Sequence, residues 1–218
     1  MNILARMTAM KAAWLCVLCS LAGSLLLAGC AAPGAGQAPV ATYDLGPVPD
    51  EIPTAATTAA ARRLTVVLAE VQAPAWLDSR YITYRLGYAD ALQPRPYAQA
   101  RWAMAPAQLL QQRARQRLAR FANVLSVGDT SQELLLKLEL DDYSQVFDSE
   151  QASRVQVRLR ASLIANGRFL AQRSFAANRP APTANAAGAV RGLAGATDAL
   201  LDELARWVEA SAAARPAR

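Results

Sequence analysis

Two segments in the second half of the chain alternate apolar and polar residues, and this pattern limits the possible folds more than any other feature. The apolar positions of the first segment are all leucines, Leu134, Leu136, Leu138 and Leu140. Those of the second are Val155, Val157, Leu159, Ala161 and Leu163. A period of two with one polar face is typical of antiparallel strands that bury one side and expose the other. We therefore expect paired strands here, followed by a hairpin at Asn166-Gly167 and a further strand over residues 168–175.

The other expected elements are two strands and two helices. Residues 64–71 and 81–86 are rich in β-branched and aromatic side chains, which favours strands, and the prolines within residues 94–96 indicate a short irregular or edge segment. Apolar residues at helical spacing predict helices over 106–121 and 186–212. The order predicts an α+β fold, a small α/β sandwich with two helices packed on one face of a mostly antiparallel sheet. The second helix could instead pair with a second copy in a homo-oligomer.

Charged residues cluster at two places. Four arginines surround the apolar face of the first helix: Arg113, Arg115, Arg117 and Arg120. We interpret them as a solvated face with long stems over apolar edges, and a binding surface is the alternative. Four acidic residues follow the first alternating segment: Asp141, Asp142, Asp148 and Glu150. Their spacing matches no cation-binding loop, so we interpret them as a strand end and turn and expect no metal site.

The chain begins with the parts of a secretory signal. Arg6 and Lys11 are followed by eighteen uncharged residues, 12–29, and then by Cys30. The sequence Leu27-Ala28-Gly29-Cys30 resembles the lipobox of bacterial lipoproteins, which implies cleavage before Cys30 and its acylation, with palmitate a usual acyl group. A transmembrane anchor is the weaker alternative, because eighteen residues that include serines and glycines are at the lower limit for a span.

Acylation would divide the chain into a signal peptide (1–29), a lipidated N-terminus with a flexible linker (30–61), a folded domain (62–212) and a frayed tail (213–218). The linker is rich in Ala, Pro, Gly and Thr, which is typical of a tether. Ala31, rather than aspartate, follows Cys30. In bacteria that sort lipoproteins by this position, the outer membrane is then expected, with the domain on its periplasmic face. Two or three acyl chains would anchor it stably.

Composition excludes most catalytic chemistry. The chain has no histidine, which removes Ser-His-Asp and Cys-His catalysis and most zinc sites. Cys16 and Cys19 lie in the expected signal peptide, so the mature chain has no disulfide. No phosphate-binding, dinucleotide-binding or hydrolase motif is present in the sequence. We expect no enzyme and no cofactor. The net charge of +6 falls to +4 without Arg6 and Lys11, and export makes nucleic acid an unsuitable partner.

Aromatic residues and arginines concentrate between residues 76 and 102. Such side chains are common anchors at protein interfaces, but they are also ordinary core material. The residues alone leave both interpretations open. The candidates for partner binding are Trp76, Leu77, Asp78, Tyr81, Tyr84, Arg85, Arg101 and Trp102.

Three short blocks carry a family resemblance. The longest is Val71–Arg85, V-Q-A-P-A-W-L-D-S-R-Y-I-T-Y-R, and the others are Y-D-L-G-P at 43–47 and R-W-A-M-A-P at 101–106. In order and spacing they resemble the ABC-type transport auxiliary lipoproteins, the paraquat-inducible PqiC-like group. Thr83 and Met104-Ala105-Pro106 depart from the usual residues of that family, and residues 133–218 match it only in pattern.

The resemblance implies a function that composition does not. It implies an outer-membrane lipoprotein that docks an MCE-domain protein and its ABC permease and ATPase, in a system that moves phospholipid or other lipids between two membranes and so supports membrane integrity. It also implies a small α/β sandwich, and it favours the interface interpretation of the aromatic residues. The alternative is a periplasmic carrier or chaperone that holds phospholipid acyl chains between sheet and helices. Such a carrier requires an apolar cavity of several hundred Å³.

Overall fold

The computed structural model describes residues 39–48, 63–129 and 134–214. The expected signal peptide, Cys30 and most of the expected linker lie outside these residues. All described elements belong to one compact unit that begins at Val40. No helix in these three ranges is long and apolar enough to cross a membrane.

The described elements are eight strands, two α-helices and one 3₁₀ helix. The strands are β1 (Ala41–Tyr43), β2 (Leu64–Leu68), β3 (Tyr81–Leu86), β4 (Asp90–Trp102), β5 (Ala122–Leu125), β6 (Leu134–Phe147), β7 (Ser153–Ala165) and β8 (Arg168–Pro180). The helices are the 3₁₀ helix (Ala75–Leu77), α1 (Pro106–Leu118) and α2 (Ala186–Ala213). The predicted α+β class is confirmed: two helices accompany one sheet, although that sheet is mixed rather than strictly antiparallel.

Strand β6 is the central strand of the sheet and pairs with neighbours along both of its edges. On one side it pairs antiparallel with β7 along nearly its whole length, and β7 pairs in turn with β8. On the other side its start pairs with β2 (Val67 opposite Leu135) and its end with β3 (Thr83 opposite Ser144), both in parallel. β5 extends the sheet beside β2, and β4 and then β1 extend it beside β3. The segment between β2 and β3, which contains the 3₁₀ helix, therefore connects two strands that pair with the same edge of β6.

The alternating pattern correctly predicts which residues of β6 and β7 form the core. Leu134, Leu136, Leu138 and Leu140 are buried, as are Val155, Val157, Leu159, Ala161 and Leu163. The hairpin after β7 is also confirmed: Asn166 and Gly167 have φ values of 50° and 74°, the left-handed region that a tight two-residue turn requires.

The strand end and turn predicted at the acidic cluster are correct for Asp148 and Glu150, which follow β6, but wrong for Asp141 and Asp142. β6 continues through Asp141 and Asp142 to Phe147, with a register shift between Leu140 and Asp142. Asp142 lies opposite Arg158 of β7, and its carboxylate accepts hydrogen bonds from Ser144 Oγ (2.7 Å) and Gln156 Nε2 (2.9 Å). Among the described residues, no group of three or more His, Cys, Asp or Glu side chains could hold a metal ion.

Strand β4 is longer than the short edge segment that the prolines predicted. Its prolines are tolerated because β1 covers only Ala100–Trp102, so the rest of its outer edge needs no proline N–H donor. The turn into β4 requires a small residue at Gly87, where an added Cβ would lie 3.0 Å from the carbonyl oxygen of Phe147. β1 and β5 are too short to produce a periodic signal.

Helix α2 packs on the sheet face formed by β6, β7 and β8, as predicted. At this interface the fully buried rings of Trp102 and Tyr143 lie with centroids 5.7 Å apart. The Tyr143 hydroxyl lies 3.1 Å from Thr197 Oγ1 on α2, so the only polar atom of that ring is hydrogen-bonded. The carboxamide of Gln145 links the Tyr97 hydroxyl (2.6 Å) to Ser153 Oγ (2.7 Å) at the far end of β6.

We expect stability to fall in alkaline solution because of Tyr143. Burial raises the pKa of its phenol, and the hydrogen bond with Thr197 only partly opposes this. The pKa in the folded state therefore lies above that of the unfolded chain, which is about 10. The stability that the neutral Tyr143 phenol contributes is complete below about pH 10 and is lost as pH rises above it. Urea unfolding at a series of pH values should show a shallower alkaline loss for Tyr143→Phe than for the parent. Identical slopes would contradict this assignment.

Candidate functional site

The structure divides the predicted partner-binding residues between core and surface. Leu77 and Trp102 are buried, with exposed fractions of 2% and 0%, so we do not retain these two as surface residues. Tyr84 is half-buried between the rings of Tyr97 (4.7 Å between centroids) and Phe147 (5.6 Å). The core therefore accounts for Leu77 and Trp102, and ring contacts with Tyr97 and Phe147 account for Tyr84.

The remaining predicted residues stay at the surface. Trp76, Asp78, Tyr81 and Arg101 are exposed, and Arg85 is half-buried. We call Trp76, Tyr81, Arg85 and Arg101 the aromatic–arginine surface. The division does not follow regular alternation along β3, because Ile82 and Thr83 are both buried and the pairing with β4 shifts register twice along the strand.

Trp76 is held in place although 36% of it is exposed. It lies in the 3₁₀ helix, where the Leu77 N–H donates to Pro74 O (2.8 Å) and the buried Leu77 side chain fastens the turn to the core. The guanidinium carbon of Arg85 lies 5.3 Å from the centre of the Trp76 ring. Arg85 Nη1 also donates to the carbonyl oxygens of Ala91 (3.1 Å) and Leu92 (3.3 Å). The indole and guanidinium are thus preorganised rather than free.

The surface continues onto the β3–β4 hairpin. Leu92 is 90% exposed and Tyr88 is 48% exposed, and Arg85 connects this hairpin to Trp76. Tyr81 lies opposite Arg101 in the β3–β4 register. Leu92 was missed in the sequence because a single leucine in a polar stretch has no periodic context. Its only signal is its place beside a tight turn.

A second group of functional interest is a buried ion-pair cluster between the two helices. Arg113 and Arg117 of α1 are only 3% and 5% exposed, so the interpretation of the helix arginines as a solvated face is wrong for these two. Arg117 lies 3.0 Å from both Asp198 and Asp202 of α2, and Arg113 Nε lies 3.4 Å from Asp198 Oδ1. Arg115 and Arg120 remain partly exposed.

Arg113 also holds the segment that the sequence analysis assigned to the linker. We call residues 41–46, which comprise β1 and the three residues after it, the N-terminal strap. Arg113 Nη2 donates to the carbonyl oxygens of Leu45 and Gly46, the latter at 2.9 Å, and the Leu45 side chain is buried. The strap is thus part of the fold. The rest of the expected linker, residues 49–62, lies outside the described residues.

Open clefts flank these elements. A cleft of about 470 Å³ lies between residues 70–73 and α1, with Met104 and Ala107 beside Gln108 and Gln111. Gln111 Oε1 accepts a hydrogen bond from the Val71 N–H there (2.8 Å). A second cleft of about 470 Å³ lies between the strap and α2, beside Val190 and Ala194. Both clefts lie beside the sheet-and-helix core, which is filled by buried side chains.

The fold and this surface define a class of protein, a small α+β sandwich that presents a fixed aromatic–arginine surface to its surroundings. The chain belongs to the family described as the ABC-type transport auxiliary lipoprotein component, whose family model matches residues 43–205. The resemblance seen in the three sequence blocks is therefore confirmed. Membership implies a membrane-anchored envelope protein associated with a transporter, and this family is not a known enzyme family.

Solved structures support the fold independently. A protein from Xanthomonas campestris superposes with a TM-score of 0.62 at 17% identity, covering 80% of this chain and 95% of its own. A second crystal structure, of an uncharacterized protein, gives a TM-score of 0.59 at 14% identity, covering 78% and 99%. At these identities the likeness shows the fold alone. No curated protein sequence matches the chain significantly.

Proposed function

We propose that this protein is the outer-membrane lipoprotein subunit of an MCE/ABC-type system that moves lipids between membranes. Acylated Cys30 anchors it at the periplasmic face, and the folded domain docks the MCE-domain protein that works with the ABC permease and ATPase. Family membership supports the transporter association. The observation that carries the docking role is the aromatic–arginine surface, since Trp76 and Tyr81 expose aromatic rings and Arg85 holds the ring of Trp76 in place.

The chemistry of this surface suits a protein partner. Aromatic residues and arginine are enriched at interfaces because they supply large contact areas and several hydrogen-bond donors. Fixing Trp76 beneath Arg85 before binding lowers the conformational entropy lost on association. Arg80 and Arg101 are exposed and form no ion pair with described residues. Arg101 Nε donates a long hydrogen bond to Thr42 Oγ1 (3.4 Å), and the charge of both guanidiniums is left to acidic groups at the rim of the partner.

We expect the double variant Trp76→Ala/Tyr81→Ala to lose MCE-protein capture by at least about tenfold, because central aromatic anchors each contribute roughly 2 kcal/mol at an interface. The measurement is an affinity pull-down of the acylated protein, solubilised from envelopes, with mass spectrometry of the co-purified proteins. Phe169→Ala is the matched control, since Phe169 is 70% exposed on the β7–β8 hairpin near the opposite end of β6. Equal losses in both variants, or no loss in either, would count against this docking surface.

Fractionation of the same envelopes tests the location. The proposal requires the acylated protein to separate with outer-membrane markers. Recovery with the inner membrane would contradict that part of the proposal and leave the docking surface to be judged by the pull-down.

The two open clefts are the observation that favours the alternative function, a lipid carrier. Each has a volume of about 470 Å³ and includes apolar side chains, which is enough for part of an acyl chain. Lipid extraction from purified, non-acylated protein followed by mass spectrometry distinguishes the two functions. Bound phospholipid without MCE-protein capture would favour the carrier, and capture without bound lipid would favour docking.

A further inference from the structure

We propose that the seat of the N-terminal strap is a peptide-binding site, which the chain fills with its own residues 41–46. The seat consists of the β4 edge at Ala100–Trp102, the guanidinium of Arg113 and the space between α1 and α2 that takes Leu45. Its ligand class is an extended peptide with an aromatic residue, then any residue, leucine and glycine. The same segment supplied as a separate peptide is its simplest ligand.

The strap is bound as a peptide ligand is bound. Its first three residues add a parallel strand to β4, with Ala41 opposite Ala100 and Tyr43 opposite Trp102. The Ala103 N–H then donates to Tyr43 O (2.7 Å). Main-chain pairing of this kind gives affinity, and a pocket for one side chain gives specificity. That side chain is Leu45, which is 8% exposed and lies between residues of α1 and α2.

Arg113 provides the polar part of the site. Its side chain is 3% exposed, yet Nη2 donates to two main-chain carbonyls of the strap rather than to a carboxylate. Asp198 orients the guanidinium from the other side. Arg113 Nη1 is buried and has no hydrogen-bond partner among the described residues. A buried donor without a partner is costly, so the strap leaves part of the binding capacity of the site unused.

The strap is held by few contacts for a segment inside a fold. It has three paired residues, one buried side chain, Leu45, and one partly buried side chain, Tyr43, and Thr42 accepts a long hydrogen bond from Arg101 Nε (3.4 Å). Two clefts, of about 70 and 470 Å³, leave open space beside residues 42–46. Being part of the same chain compensates for this, because a linked segment has an effective concentration on the order of millimolar. Once the link is cut, the strap should exchange with the same sequence in solution.

Release of the strap would change the reach of the domain from the membrane, and this consequence rests on the proposed acylation of Cys30. With the strap seated, the eleven residues 30–40 span at most about 40 Å. With the strap released, the 33 residues 30–62 span at most about 110 Å. A partner that supplies an extended segment of the same pattern would therefore lengthen the tether. The peptide-binding site itself does not depend on the anchor.

The test uses the full mature chain with a protease recognition sequence inserted within residues 49–62. After cleavage, a fluorescent peptide of residues 39–48 is added and its incorporation is followed by anisotropy. We expect the cut chain to take up the peptide and the uncut chain to bind it at least about 100-fold more weakly, because the linked strap competes. A peptide with Leu45→Asp should fail to bind the cut chain, and it leaves the protein itself unchanged.

Two outcomes would overturn the site. One is the absence of peptide uptake by the cut chain after its own strap fragment has been removed by gel filtration. The other is equal uptake of the parent and Leu45→Asp peptides, which would mean that binding does not use the leucine pocket. Neither outcome bears on capture of the MCE protein, so failure here is distinct from failure of the docking function.

Discussion

Replacing Asp198 with alanine should lower the free energy of unfolding by about 3 kcal/mol. This carboxylate faces two arginines that are almost fully buried, at 3.4 Å from Arg113 and 3.0 Å from Arg117. Removing one partner of a buried pair leaves a desolvated charge without compensation, which costs about 3–5 kcal/mol. We expect the lower end of this range, because the side chain of Asp198 is itself 19% exposed. Urea unfolding of the non-acylated mature chain measures the change.

Asp148→Ala is the matched control for this prediction. Asp148 forms an ion pair with Arg154, but the two side chains are 55% and 37% exposed. Pairs at such positions are screened by solvent and contribute less than about 1 kcal/mol. Similar losses for Asp198→Ala and Asp148→Ala would show that burial of the arginines does not strengthen the helix-to-helix pairing. Asp198→Ala should also weaken seating of the strap, since Asp198 orients Arg113.

Trp102→Ala should destabilise the fold by about 4 kcal/mol, while Trp76→Ala should cost less than about 1 kcal/mol. Both tryptophans belong to the sequence blocks shared with the family, yet Trp102 is fully buried against Tyr143 and Trp76 is at the surface. Truncating Trp102 removes a large apolar surface and leaves a cavity in the core beside Tyr143. The measurement is again the unfolding free energy from urea titration.

A milder variant separates packing from hydrogen bonding at Trp102. Its indole N–H has no hydrogen-bond partner among the described residues. Trp102→Phe therefore loses volume but no hydrogen bond, and we expect a cost of about 1–2 kcal/mol. A loss as large as that of Trp102→Ala would contradict the packing explanation. MCE-protein capture by folded Trp102→Phe should remain unchanged, in contrast to the variant that removes Trp76 and Tyr81.

The core of the sheet could be predicted from sequence because it depends on local alternation. Leu136 and Val157 lie in strands where period two alone identifies the buried face. The aromatic residues were harder, because burial along β3 does not alternate regularly and Ile82 and Thr83 are both buried. Tyr81 and Arg101 point outward while Ile82 and Trp102 point inward. No periodic apolar pattern in these strands identified which of the neighbouring residues would be buried.

The ion-pair cluster and the strap could not be found by local patterns. Arg113 and Arg117 are four residues apart on α1, and Asp198 and Asp202 are four apart on α2, so their pairing depends on how the two helices meet. In retrospect, two oppositely charged pairs with the same spacing were a usable signal. β1 has three residues, and its partners lie about 60 residues downstream, so no sequence window joins them.

The position of the strap also sets an order of assembly. Leu45 and Arg113 are 68 residues apart, and Arg113 is oriented by Asp198 near the other end of the chain. Contacts that close such long loops form late, because the chain entropy must be lost before the contact can stabilise anything. Because Asp198, Val190 and Ala194 of α2 help to form the seat, we expect residues 41–46 to take their final place after α2 has packed on the sheet. The strap would then be the last described part of the domain to fold, although it comes first along the chain.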